Sequence, residues 1–226
     1  MLRAVIFDFD GVITDSEILH LRAFNRMLAQ FGMEITTKDY YTDYLGLTDL
    51  DLLKVLVEKG LLKVDAGQIK ELAGQKEGIF RQLAESEGGI IEGVREFVEI
   101  LRQNNIPMAI CSGALRAEIE LILEKARLRD FFEVIVSAEQ VRRGKPHPDG
   151  FRITLQKLNE KRASPIRPNE CIVVEDSHWG LEAARAAGMH TAAVTNSYDA
   201  DQLTMAERVV DHLGQLSIKD LQKLCV

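Results

Sequence analysis

The sequence predicts an α/β fold in which a parallel-sheet core carries an inserted all-helical segment. Three observations predict it. Short apolar runs recur along the 226 residues with helical patterns between most of them, which implies βαβ units. These runs are nearly continuous in apolar residues, as strands covered on both faces require. Between Ser16 and about Gly88 the strand signal stops and helical periodicity takes over.

The first strand is expected over residues 3–9. Its apolar run Ala4-Val5-Ile6-Phe7 ends in Asp8-Phe9-Asp10-Gly11, two carboxylates followed at once by a turn residue. Open α/β sheets place ligands beyond the carboxyl ends of their strands. Two adjacent acids repel, and desolvating them costs several kcal/mol per ion unless something compensates. A hard divalent cation with oxygen ligands is the usual compensation, so the opening residues point to a metal-assisted site.

The insertion follows directly. Ile18, Leu21, Phe24, Met27, Leu28 and Phe31 mark one helical face that Gly32 ends. Leu50, Leu53, Leu56 and Val57 mark a second helix, ended by Gly60. Ile69, Leu72, Ile79, Phe80 and Leu83 mark later turns, weakened by Gly74 and Gly78. Gly88-Gly89 supplies the return. The expected organisation is a core of residues 1–15 and 89–226 with a helical cap over 16–88, suited to substrate closure and water exclusion.

Beyond the insertion, strands are expected at Ile106–Cys111, Glu133–Val136, Cys171–Glu175 and Thr191–Thr195. The first of these leads into Ser112-Gly113, a turn that offers a hydroxyl and backbone N–H groups to an anion. Arg143-Gly144-Lys145-Pro146-His147-Pro148 sets one lysine between a glycine and two prolines, which fix the local chain. Read by itself, this is a surface turn or a held lysine. Val173-Val174-Glu175-Asp176-Ser177 brings a second acidic pair to a strand end, ahead of His178-Trp179-Gly180 and a small-residue helix at Leu181–Ala187.

The composition is globular, 46% hydrophobic and 28% charged. A net charge of -7 argues against a nucleic-acid or anionic-membrane partner. Apolar runs fall far short of a membrane span, and Asp8 arrives before a signal-peptide core, so no targeting segment is read. Cys111, Cys171 and Cys225 are scattered without metal spacing and read as reduced thiols in a cytoplasmic protein.

Taken together, Asp8-x-Asp10, Ser112, Lys145 and Glu175-Asp176, in this order, resemble the haloacid dehalogenase superfamily. Asp-Phe-Asp-Gly-Val-Ile-Thr-Asp-Ser, Gly-Lys-Pro-His-Pro-Asp-Gly-Phe and Val-Glu-Asp-Ser-x-x-Gly-x-x-Ala-Ala are similar to its signatures, and the likeness covers essentially the whole chain. The segment 16–88 resembles the helical cap of the β-phosphoglucomutase-like and phosphoglycolate-phosphatase-like branch. The resemblance implies a Rossmann-like core and a set of roles. Asp8 would be the nucleophile, forming an aspartyl-phosphate. Asp10 would be general acid and then base, its backbone carbonyl also a ligand of Mg²⁺. Asp176 would ligate the metal, with Glu175 direct or one shell out. Ser112 and the Gly113 N–H would hold phosphoryl oxygens, and Lys145 would neutralise phosphate and nucleophile.

Within that family, Asp10 argues against C–halogen cleavage and against a Schiff-base hydrolase using Lys76, because both classes replace this aspartate. Lys76 is then read as a solvated helix charge or at most a substrate contact. His20 stands where a β-phosphoglucomutase-like cap carries a histidine. Asp49 stands where that group carries an arginine, and Ala114-Leu115 where it carries a Ser–Lys pair; Arg116 is the nearest basic substitute. An aspartate facing a second phosphate repels it. The expected activity is hydrolysis of a small phosphomonoester, a sugar phosphate or phosphoglycolate-like metabolite, by a monomer or homodimer. A sugar phosphomutase and a non-catalytic phospho-acceptor module are the alternatives.

Overall fold

The computed structural model describes residues 1–225, which divide into two compact units: Met1–Asp15 with the chain from Gly89 on, and Ser16–Gly88. Strand β1 (Ala4–Phe7) is wholly buried and shorter than the sequence suggests. The chain leaves the sheet after Asp8, and Gly11 takes a left-handed φ of 74° to turn it.

The second unit is helical. Helix α1 (Glu17–Leu28) runs into a 3₁₀ turn at Ala29–Phe31, and Gly32 stops it at φ 66°. A single turn, α2 (Thr37–Asp39), continues as a π-helical turn at Tyr40–Tyr44. It lacks an apolar repeat long enough to be read from sequence. Helix α3 (Asp49–Glu58) is capped by Thr48, whose hydroxyl accepts from Asp51 N at 3.2 Å.

Helix α4 (Ala66–Glu87) is one continuous helix of 22 residues begun by an Asp65–Gln68 capping box. Gly74 and Gly78 do not interrupt it. Each costs about 1 kcal/mol relative to alanine, and the burial of Ile69, Leu72, Phe80 and Leu83 outweighs that. Helix α1 packs along α4. The core of the unit is built from Leu21, Phe24, Met27, Tyr40, Leu52, Leu56 and Leu72 among others.

The first unit resumes with α5 (Val94–Gln103), β2 (Met108–Cys111), α6 (Arg116–Lys125), β3 (Val134–Val136) and α7 (Asp149–Asn159). It ends with β4 (Cys171–Glu175), α8 (His178–Ala186), β5 (His190–Val194), β6 (Arg208–Val210) and α9 (Ile218–Leu224). Among the described residues six strands form one sheet in the order β3-β2-β1-β4-β5-β6, every pair parallel. Strand β6 has three residues, begins at the exposed Arg208 and carries no apolar run, so the sequence did not announce it.

One sheet face buries Ile6, Ala109, Cys111, Val173, Phe151 and Ala183 together, and on Phe7 the rings of Phe97 and Phe132 pack edge-on at 6.0 and 5.9 Å. The chain steps outward from β1 to β2 and β3, then crosses back to lay β4 on β1's other side. That reversal is where such sheets open a crevice beyond the strand ends. Phe7 is paired with both Ile110 and Val174, so the loops after β1, β2 and β4 leave the sheet side by side. No helix among the described residues is long and apolar enough to cross a membrane. All three cysteines are free thiols, and buried.

Candidate active site

Of the acids expected at the strand ends, Asp8, Glu175 and Asp176 come together. Asp8 N donates to Val174 O at 2.9 Å, carrying the ladder one residue past β1 and fixing the Asp8 side chain beside the end of β4. Lys145 reaches both acids: its Nζ lies 2.7 Å from Asp8 Oδ1 and 2.5 Å from Glu175 Oε1. The approach to Asp8 is off the axis of a hydrogen bond, so Oδ1 is buried against a cation without an aligned donor.

Glu175 is wholly buried and saturated by the chain itself. Its Oε2 accepts from Asp176 N and Ser177 N at 3.1 Å each and from Ser177 Oγ at 2.9 Å. Helix α8 begins so close that a Cβ on Gly180 would fall 1.8 Å from Glu175 Oε1. Only glycine fits there.

The environment sets the charges. Burial lifts the Asp8 carboxyl to about 7, with Glu175 and Asp10 adding to the rise and Lys145 opposing it. Asp176 is held well above the ordinary carboxylate range, first by burial and then by Glu175 and Asp8. Burial alone would push Lys145 down, but the Asp8 and Glu175 carboxylates outweigh it and hold the ammonium above its usual range. Several carboxylates around one ammonium leave a local excess of negative charge.

A hard cation fits that excess. Asp8, Glu175 and Asp176, all buried, have carboxylate oxygens within 4.8 Å of one another. Since Glu175 is occupied by Lys145 and the 176–177 turn, Asp8 and Asp176 are the carboxylates with oxygen left to give. The Asp10 carboxylate stands outside this set among the described residues; its main chain pairs with Thr14 to close the loop. Ser112, at the end of β2, is buried; its N–H donates to Val136 O and its Oγ accepts from Ala114 N, each at 3.0 Å. Gly113 beside it is exposed, with open space around its α-carbon.

Two residues that the sequence reading passed over belong to this cluster. Ser197 Oγ donates to Asp176 Oδ2. Asn196 Nδ2 donates to Gly11 O at 2.6 Å. Their only signal in the sequence is a polar pair just past the fifth strand, where loops of this fold point at the site.

The remaining candidates have other surroundings. Lys76 is not the solvated helix charge expected from its neighbours in sequence. It is 0% exposed, ion-paired to Asp49 Oδ1 at 2.7 Å and 2.5 Å from His20 Nδ1, over the rings of Phe24 and Phe80. Glycines at 74 and 78 hid the continuous helix that carries it inward. An ammonium only donates, so Nδ1 of His20 is an acceptor and the ring is the neutral Nε2–H form. Burial and the adjacent ammonium hold its pKa well below the usual histidine range, and the ring stacks on Phe80 at 4.1 Å. The Arg116 side chain, on the core, is engaged by Glu120 at 2.6 Å and the Ile135 carbonyl at 2.9 Å. His147 lies 3.0 Å from Asp149, and His178 packs against Trp179 and Tyr198.

Known proteins resemble this chain over most of its length. The model of a family described as haloacid dehalogenase-like hydrolase matches residues 5–194. A phosphorylated carbohydrates phosphatase of Thermotoga maritima is 31% identical over 189 residues, covering 83% of this chain and 82% of the relative. Among solved structures, CbbY from Rhodobacter sphaeroides in complex with phosphate superposes with a TM-score of 0.87 at 23% identity, over 98% of this chain and 100% of that one. A β-phosphoglucomutase from Clostridium difficile gives a TM-score of 0.84 at 26% identity, over 100% and 97%.

Proposed function

Because the chain belongs to the haloacid dehalogenase-like hydrolase family, we propose that it is a Mg²⁺-dependent phosphatase of small phosphomonoesters that works through a phosphoaspartate on Asp8. The observation that carries this reading is the buried Asp8 carboxylate, 2.7 Å from Lys145 and within the carboxylate set of Glu175 and Asp176. A carboxylate attacks a phosphate dianion only where their mutual repulsion is cancelled.

In the first step an oxygen of Asp8 attacks phosphorus, the ester P–O bond breaks, and Asp10 gives its proton to the departing alkoxide. In the second, water attacks the phosphoaspartate, Asp10 takes its proton, and the bond to Asp8 breaks to free inorganic phosphate. Lys145 balances charge on nucleophile and phosphoryl group, while Ser112 and the Gly113 N–H receive phosphoryl oxygens. Bound by Asp8, Asp176 and the Asp10 carbonyl, Mg²⁺ would supply the rest of the charge cancellation. Glu175 serves by holding Lys145 and the 175–177 turn. Residues 16–88 act as the cap that selects substrate; within it Lys76 is spent on Asp49 and His20. A cytoplasmic setting and a phosphorylated carbohydrate as substrate complete the reading, the latter supported by the name of the Thermotoga relative.

A sugar phosphomutase is the second reading, favoured by the likeness to the Clostridium β-phosphoglucomutase. Against it, the aspartate at position 49 is bound to Lys76, an arrangement without a free cation for a second phosphate. The deciding experiment is Mg²⁺-dependent turnover of p-nitrophenyl phosphate, followed by a panel of sugar phosphates, phosphoglycolate and nucleotides. Repeated turnover with phosphate release supports the phosphatase. A single stable phosphorylation from acetyl phosphate would instead make the chain a phospho-acceptor module.

A further inference from the structure

The loop after β5 makes three contacts, each to a different piece of the site. Ser197 Oγ donates to Asp176 Oδ2. Asn196 Nδ2 donates to the Gly11 carbonyl at 2.6 Å, in the loop that carries Asp8 and Asp10. Tyr198 stands edge-on to His178 and Trp179, the first residues of α8, at 5.2 and 6.1 Å. Gly11 sits under the first of these contacts. A Cβ there would lie 1.7 Å from Asp176 Oδ2 and 2.9 Å from Ser197 Oγ. The missing side chain, at φ 74°, is the space through which Asp176 and Ser197 meet.

From this convergence we infer that Asn196 and Ser197 are positioning residues of the cation site. Ser197 fixes one oxygen of Asp176 so that the other is aimed, and Asn196 fixes the loop after β1 against it. The physical reason is the crowding of like charge. Asp176 neighbours Asp8 and Glu175, so repulsion drives its carboxylate to swing away. Lys145 is engaged with Asp8 and Glu175, and the donor to Asp176 Oδ2 is Ser197, from the loop after β5. A hydrogen bond from a neutral hydroxyl orients the carboxylate without neutralising it, leaving its charge for a cation. Partners that orient metal ligands in this way are typically worth about 10–100-fold in metal affinity.

This inference rests on the divalent-cation reading above, and its test separates the two. Mg²⁺ binding is measured by titration calorimetry on the whole, substrate-free protein, for the parent, Ser197→Ala, Ser197→Thr and Asn196→Ala. Melting temperatures without metal are taken alongside. Ser197→Ala is expected to weaken Mg²⁺ binding about tenfold or more, with a metal-free melting temperature close to the parent's, and Ser197→Thr to restore it. Asn196→Ala is expected to weaken binding in the same direction. In turnover, the concentration of Mg²⁺ for half-maximal rate should move by the same factor.

Parent-like Mg²⁺ affinity in Ser197→Ala overturns the inference and leaves the cation site standing. So does a loss that Ser197→Thr fails to restore, since the hydroxyl would then not be the agent. If Ser197→Ala does not fold, parent-like affinity in Asn196→Ala overturns it. A parent protein that binds no Mg²⁺ removes the cation reading itself, and this inference with it.

Discussion

Lys76 and Asp49 form an ion pair at 2.7 Å in which the ammonium is wholly buried and the carboxylate partly exposed. The pair decides how both residues can be used. The aspartate does not stand free to repel a substrate, and the lysine is not free to attract one.

Asp49→Asn should therefore lower stability. Removing one partner of a buried ion pair typically costs about 3–5 kcal/mol, and the partial exposure of Asp49 places the expectation near the lower end. Asp49→Arg should be worse, since it sets a second cation beside the first. Denaturant midpoints measure both. An Asp49→Arg protein as stable as the parent would mean that the pair does not persist in solution.

The same pair bears on phosphatase against mutase. Incubated with β-glucose 1-phosphate and a trace of the 1,6-bisphosphate, the protein should release inorganic phosphate and form little glucose 6-phosphate. Glucose 6-phosphate appearing faster than free phosphate would reverse the choice, and His20 and Arg116 would become the residues to test as distal contacts.

Asp8→Asn should abolish turnover and keep the fold, because the amide preserves shape but not nucleophilicity. The same variant carries a pH signature. In the native protein without metal, the Asp8 carboxyl is raised to about 7 by burial. A raised carboxyl pKa means that the native state holds the proton more tightly, so stability present below about 3.9 is lost as pH climbs toward 7. In chelator, the parent should therefore lose melting temperature relative to Asp8→Asn between pH 4 and 7. A difference that stays constant across that range would refute the assignment.

Lys145→Ala leaves Asp8 and Glu175 facing each other without their shared counter-ion. A loss of about 3 kcal/mol or more in transition-state stabilisation is expected, over a hundredfold in kcat/KM. A rate within a factor of two of the parent's would reduce Lys145 to a turn residue.

The strands and acids of the core were legible because their signals are local. Ala4–Phe7 is apolar throughout and stops at Asp8, and Cys171–Val174 does the same before Glu175. A fully covered strand needs no partner to be recognised, and a carboxylate at its end is anomalous without a reason. Strand β6 and the turn at 37–44 were not legible, since three to eight residues without an apolar period carry no helical or strand signature. Lys76 misled for the opposite reason: in sequence it has the polar neighbours and nearby glycines of a solvated helix, while its burial depends on α1, α3 and α4 packing together.

By itself, then, the sequence determined the parallel α/β core, the helical insertion and the order of Asp8, Asp10, Ser112, Lys145, Glu175 and Asp176 along the chain. Tertiary structure alone decided which of them touch. It gave Lys145 to both Asp8 and Glu175, withdrew Glu175 from the oxygens left for a cation, set Asn196 and Ser197 against Gly11 and Asp176, and turned Lys76 inward onto Asp49. Propensity and apolar period act over a few residues. Pairing of the site's polar groups depends on distances of a few ångströms between atoms up to 185 positions apart in the chain, and those distances exist only once the sheet has closed.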